Sequence, residues 1–82
     1  MNLVLLTEEL IKLLANDKDG VSVKEFPTEE ENTILIQAMV SSDDIGRVIG
    51  KGGKNANAIR TLVQASSYLN DNKRVVINID SF

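Results

Sequence analysis

The sequence predicts an α+β chain of three helices and three strands, in the order helix, strand, strand, helix, helix, strand. Three observations carry that prediction. Leucines recur at three- and four-residue steps near the start; the stretches Val21 to Phe26, Thr33 to Val40 and Lys73 to Asp80 are alternating or rich in β-branched residues; and a glycine cluster, Gly50-Lys51-Gly52-Gly53, separates two further apolar-periodic stretches. Eighty-two residues fit a single domain, 1–82, with a small core near the lower end of independent stability.

Asn2 is a helix cap, and Leu3, Leu6, Leu10, Leu13 and Leu14 form an apolar stripe that leaves Glu8, Glu9 and Lys12 on another face, so one amphipathic helix runs from about Leu3 to Ala15. A strand over Leu3 to Leu6 with a helix from Thr7 is the rival, and the uninterrupted stripe favours the single helix. Asn16-Asp17-Lys18-Asp19-Gly20 ends it. The strand Val21 to Phe26 stops at Pro27, a solvated turn carries Glu29, Glu30 and Glu31, and Thr33 to Val40 returns as a more apolar strand. Three glutamates suggest a metal or acid-base site, but no second ligand cluster converges on them and a charged hairpin tip accounts for them. Ser41-Ser42-Asp43-Asp44 supplies caps for a short helix, Asp43 to Ile49. After the glycines a longer helix, Lys54 to Leu69, is expected to bury Ala58, Ile59, Leu62, Val63 and Ala65 or Ser66. Asn70-Asp71-Asn72 ends that helix, and Lys73 to Asp80 is the last strand.

Composition excludes several functions. No cysteine is present, so disulfides, thiolate metal sites and a thiol nucleophile are absent; no histidine is present, which removes the commonest general base and metal ligand. With no convergent carboxylate pair either, the chain is expected not to be an enzyme and to hold no metal or cofactor. No apolar run is long enough to cross a bilayer, and Leu3 to Leu6 is too short and lacks the basic flank of a signal peptide, which together place the chain in the cytoplasm. The net charge of −3 is unevenly spread. Between Ile45 and Ser66 lie Arg47, Lys51, Lys54 and Arg60 with no acid, giving +4; the rest sets Lys12, Lys18, Lys24, Lys73 and Arg74 against all twelve acids, leaving −7.

That positive stretch surrounds the glycines. Gly50, Gly52 and Gly53 remove three Cβ atoms within four positions, Lys51 and Lys54 bracket the bare backbone, and the loop feeds a helix N-terminus. The combination suits a phosphate. Nucleotide hydrolases are excluded by spacing: Gly-x-x-x-x-Gly-Lys-Ser/Thr fails from Gly46 and from Gly50, and Gly-x-Gly-x-x-Gly fails at Asn55.

Gly-x-x-Gly at Gly50 and Gly53, with Val48-Ile49 before it and Ile59 after, resembles the KH domain, whose loop joins two helices and clamps about four nucleotides of single-stranded nucleic acid. The element order resembles the type II KH fold, in which a three-stranded sheet packs against three helices, and in length and layout the chain is most similar to the small stand-alone bacterial KH proteins of the KhpA (YlqC-like) family. The resemblance implies a cytoplasmic RNA-binding protein, a post-transcriptional regulator or RNA chaperone, that forms homodimers and pairs with a larger KH-containing partner. Gly50, Lys51, Gly52, Gly53, Lys54 and Arg47 are then the backbone contacts, while Ile45, Val48, Ile49 and one side of the Thr33 to Val40 strand floor a groove for bases. One departure is Ala56, where KH motifs commonly carry a branched apolar residue. Phe26, Tyr68 and Phe82 are distant from the loop in sequence, so base stacking beside it is not expected. Arg60, Asn55 and Asn57 read as polar residues of the helix surface, Asn55 close enough to touch a phosphate, and Tyr68 as partly core or interface. The alternative function is a protein-protein adaptor that uses Ala65, Ser66, Ser67 and Tyr68, with the glycine loop in dimer contacts.

Overall fold

The structure is a computed structural model and describes residues 2–82. It has six main elements: α1 (Leu3–Leu14), β1 (Ser22–Phe26), β2 (Thr33–Val40), α2 (Ile45–Ile49), α3 (Lys54–Asn70) and β3 (Arg74–Ser81), with single 3-10 turns at Lys18–Gly20 and Lys51–Gly53. The predicted order holds, as does the α+β class with a three-stranded sheet packed against three helices in the type II KH arrangement. Strand order is β1-β2-β3. β1 pairs antiparallel with β2 from Ser22↔Met39 to Phe26↔Leu35, and β2 pairs parallel with β3 from Thr33↔Arg74 to Val40↔Ser81. A parallel pair needs a crossover, and α2, the glycine turn and α3 are that crossover.

Helix α1 begins where expected, with the Asn2 side chain accepting from the Leu5 N–H at 3.1 Å. Its buried stripe is rotated from the expected one. Leu3, Thr7 and Ile11 are buried with Ala15 beyond the helix end, Leu6, Leu10 and Leu14 flank them, and Leu13 is 78% exposed. Leu13 stands about 200° around the helix from Ile11, which puts it on the far side. Thr7 takes a core position because its hydroxyl donates to the Leu3 carbonyl at 2.8 Å, leaving its methyl for packing. The Lys18 ammonium folds back onto the Lys12 and Ala15 carbonyls at 2.7 and 3.0 Å and satisfies the helix end.

Alternation in β2 sends Ile36, Ala38 and Val40 toward the helices, where with Val23 and Ile77 they meet Ile11, Val48, Ile59 and Val63 in one core. Helix α3 also differs from expectation. Ala56, Ile59, Val63 and Ser67 are its buried residues, whereas Ala58 and Ala65 are exposed and Leu62 is 54% exposed. Ser67 is accommodated inside because its hydroxyl donates to the Lys73 carbonyl at 2.6 Å and accepts from the Lys73 N–H at 3.2 Å.

Candidate nucleic-acid interface

The loop is built from three glycines in conformations that L side chains avoid: Gly50 at φ 79°, ψ 165°, Gly52 at φ 64°, ψ 18° and Gly53 at φ 79°, ψ 13°. The Gly50 N–H closes α2 onto the Gly46 carbonyl at 2.9 Å, and the Gly53 N–H turns back to the Gly50 carbonyl at 3.0 Å. Gly53 then caps α3 in the left-handed region with no side-chain cap, so the positive end of a 17-residue helix opens into the turn. A Cβ on Gly52 would meet nothing within 4 Å, so that backbone is bare to solvent. A Cβ on Gly50 would lie 2.8–2.9 Å from Asn55, its side chain and its backbone nitrogen.

Asn55 is the residue that sequence reasoning underread. Its Nδ2 donates to the Arg47 carbonyl at 2.9 Å and stitches the end of α2 to the start of α3 across the turn. The local signal was an amide side chain just inside a helix that starts on glycines. Arg47, Lys51 and Lys54 are exposed around this turn, and among the described residues none of the three forms an ion pair.

Asp43 and Asp44 were expected to cap α2 from within a helix starting at Asp43. Instead α2 starts at Ile45, and Asp44, 2% exposed, makes no side-chain cap of its own helix. Its carboxylate accepts from the Asp17 N–H at 2.9 Å and the Ser41 hydroxyl at 3.3 Å, tying the end of α1 to the start of α2. The Asp17 N–H holds this carboxyl below the ordinary value of 3.8; burial opposes, and the Asn16 backbone, the Ser41 hydroxyl and the Arg47 charge add to the lowering. A folded-state value below the unfolded one means that ionised Asp44 stabilises the fold at neutral pH, and that this contribution disappears as pH falls through the folded value. Asp44→Asn is expected to melt below the native chain at neutral pH, with the gap closing on the acid side of about 3.8 in thermal unfolding followed against pH.

Two parts of the predicted groove floor need correction. Val48 is fully enclosed in the core, so it supports the floor from beneath while only Ile45 and Ile49, both half-buried, reach the surface. The strand edge that can face a base is also not that of β2, which is central and hydrogen-bonded on both edges. That edge belongs to β3, which also contacts α2 and has no further strand on its outer side among the described residues. Helix α3 covers part of that edge: the Gln64 amide donates to the Lys73 carbonyl at 2.9 Å and accepts from the Val75 N–H at 2.8 Å, as a neighbouring strand would, and Arg60 Nε donates to the Ile77 carbonyl at 3.1 Å. Further along, the Ser81 N–H is taken by Asp80 at 2.8 Å. Between these covers, the alternation of the strand turns the N–H and carbonyl of half-buried Ile79 outward. Arg60 is thus a helix-to-strand tie as well as a surface cation.

Comparison with known proteins agrees with this architecture. A family model described as the KH domain of KhpA/KhpB matches residues 5–79, most of the chain. The chain belongs to that family. Relatives named RNA-binding protein KhpA include one from Clostridium perfringens, 42% identical over 74 residues covering 90% of this chain and 95% of the relative. One from Caldanaerobacter subterraneus is 40% identical with the same coverage, and one from Treponema pallidum is 38% identical over 82 residues, covering 95% and 100%. Among solved structures, an Era variant from Aquifex aeolicus bound to GDP and AlF4− superposes with a TM-score of 0.69 at 16% identity, over 98% of this chain and 30% of that one. Era in complex with MgGDPNP and nucleotides 1506–1542 of 16S ribosomal RNA gives 0.68 at 17% identity, over 96% and 29%. At that identity the likeness is one of fold.

Within this KH domain the Gly-x-x-Gly turn joins α2 to α3. Ala56, where a branched residue is common in KH motifs, is buried, so the shortened side chain faces the interior and not the groove.

Proposed function

We propose that the chain, acting as a single KH domain over 1–82, binds unpaired RNA across the Gly50–Gly53 turn and serves in the cytoplasm as a post-transcriptional regulator or RNA chaperone. The observation that carries this reading is the bare, positive-φ glycine turn, closed by Asn55 and ringed by the exposed cations Arg47, Lys51 and Lys54, none of which forms an ion pair among the described residues. The names of the KhpA relatives support it. Phosphates lie on the Gly50-Lys51-Gly52-Gly53 backbone, with Lys51, Lys54 and Arg47 giving charge-assisted bonds. Bases lie over Ile45 and Ile49 and meet the outward N–H and carbonyl of Ile79, a donor and acceptor that read a base edge. The mechanism is binding and positioning, with no catalytic step and no cofactor.

Few cations act together here, so the expected affinity is modest and falls only gently with salt, while a duplex, whose bases are not splayed, binds more weakly. Fluorescence anisotropy of a short labelled RNA, single-stranded and then annealed, at several salt concentrations, tests this. Equal binding of the two forms contradicts it.

A second reading has its own observation. Leu13 and Leu62 stand with Leu10, Leu14 and Ala58 around a cavity of about 200 Å³ between α1 and α3, and Leu69, 86% exposed, follows Leu62 further along α3. We assign this face to protein association, with a second copy or with a larger KH-containing partner. It differs from the surface first expected, because Ser67 is buried and bonded to Lys73. Pairing through this face leaves the glycine turns free and adds a second RNA site by effective concentration.

A further inference from the structure

One groove is not used by the turn. Arg60, Thr61, Gln64, Ala65, Tyr68 and Val75 line an open cleft of about 450 Å³ between α3 and the outer edge of β3. This volume lies within the range that takes a nucleoside-sized ligand. Its floor is held still by the Gln64 bonds to Lys73 and Val75, and one wall by the Arg60 bond to Ile77. Tyr68 stands at the far end, 58% exposed, with its ring available.

The cleft continues the glycine turn. Lys54, Asn57, Thr61, Gln64 and Tyr68 follow one another at three- and four-residue steps, with Arg60 beside Thr61, so they share one stripe of α3 that begins at the turn. Lys54 to Tyr68 spans about 21 Å at 1.5 Å per residue. No acid occurs from Ile45 to Asn70, Arg60 Nη2 makes no hydrogen bond among the described residues, and the backbone of exposed Lys73 is held by Gln64 and Ser67 at the end of the stripe where Tyr68 lies. The neighbouring stripe exposes Ala58, Leu62 and Leu69 and carries no charge; this one is polar, cationic and carries an aromatic ring.

We infer that the α3–β3 cleft is a second nucleic-acid subsite, in which a base of the strand leaving the glycine turn stacks on Tyr68 and its phosphate meets Arg60. This rests on the turn reading above and extends it to RNA longer than about four nucleotides. Stacking on an aromatic tolerates every base, so the subsite adds affinity without sequence choice.

Tyr68 is the sole tyrosine and the chain has no tryptophan, so intrinsic fluorescence reports this ring alone. Labelled oligouridylates of about four and about twelve nucleotides are titrated against the native chain, Tyr68→Phe and Tyr68→Ala, with the Tyr68 fluorescence lifetime followed in the native chain. The longer RNA is expected to bind the native chain more tightly and to shorten the lifetime. Tyr68→Ala is expected to weaken the longer RNA on the order of 5- to 150-fold while leaving the shorter one unchanged, and Tyr68→Phe to bind as the native chain does. The ring is exposed, so both variants keep the core. An unchanged lifetime with equal binding of the longer RNA by Tyr68→Ala overturns the subsite and leaves the turn standing. A change in sedimenting mass in Tyr68→Ala, without a change in RNA affinity, overturns it in favour of a protein contact. If the native chain does not bind even the shorter RNA, the turn reading itself fails and the subsite with it.

Discussion

Gly50→Ala is expected to lower stability by about 2–6 kcal/mol and to weaken RNA binding as well. The backbone at φ 79°, ψ 165° lies in a region essentially closed to L residues, which costs on the order of 1–3 kcal/mol. The added methyl also lands 2.9 Å from the Asn55 backbone nitrogen and 2.8 Å from its Cγ, and because one of these atoms is backbone the overlap is not relieved by a rotamer change, adding on the order of 1–3 kcal/mol. Relief requires the start of α3 to move, which breaks the Asn55 bond to the Arg47 carbonyl. In a domain this small each kcal/mol moves the melting midpoint by roughly 4–8 °C, so thermal unfolding resolves the effect easily. Gly52→Ala is the contrast. Its Cβ meets nothing, and the left-handed φ of 64° costs only about 1–2 kcal/mol. A melting midpoint for Gly50→Ala equal to that of Gly52→Ala would contradict this account of the turn.

The double substitution Lys51→Asp, Gly52→Asp is expected to remove RNA binding while leaving the fold intact. Both positions are exposed, and aspartate is among the residues that tolerate the left-handed region occupied by Gly52. The turn loses one cation and gains two carboxylates where the phosphates would sit. Loss of one charge-assisted bond is worth about 1.5–3 kcal/mol, or roughly 10- to 150-fold, and repulsion adds to it. Anisotropy with a short single-stranded RNA reads the loss, and circular dichroism reads the fold. Undiminished binding by a folded double variant would move the site away from the turn.

The parts legible in the sequence are those set by short-range chemistry. The bounds of β2 are legible because a mostly apolar run, broken only by Gln37 after Thr33, lies between Asn32 and Ser41, and the glycine turn is legible because its conformation needs three glycines within four residues. Faces were harder to read. Thr7 and Ser67 look like surface residues until their hydroxyls are seen to bond the Leu3 carbonyl and the Lys73 backbone, and each then shifts the buried face of its helix away from the leucines. The wall of the groove was misread for a topological reason. Parallel pairing of β2 with β3 places β2 in the centre and leaves β3 with the open edge, and no local pattern encodes which of two apolar strands is central. Asp44 was read as a cap because hydroxyls and carboxylates before an apolar turn usually are; its partner, the Asp17 backbone, lies 27 residues away.

The central claim is that the glycine turn is the RNA site. Amide chemical-shift mapping of the isotope-labelled chain, titrated with a short single-stranded RNA, tests it residue by residue. The account predicts the largest shifts at Gly50, Lys51, Gly52, Gly53 and Lys54, with smaller ones at Arg47, Ile49 and Ile79. Shifts concentrated instead at Leu13, Leu62 and Leu69 on the exposed apolar surface of α1 and α3, or at Phe26, Leu35 and Val76 on the helix-free face of the sheet, would contradict it.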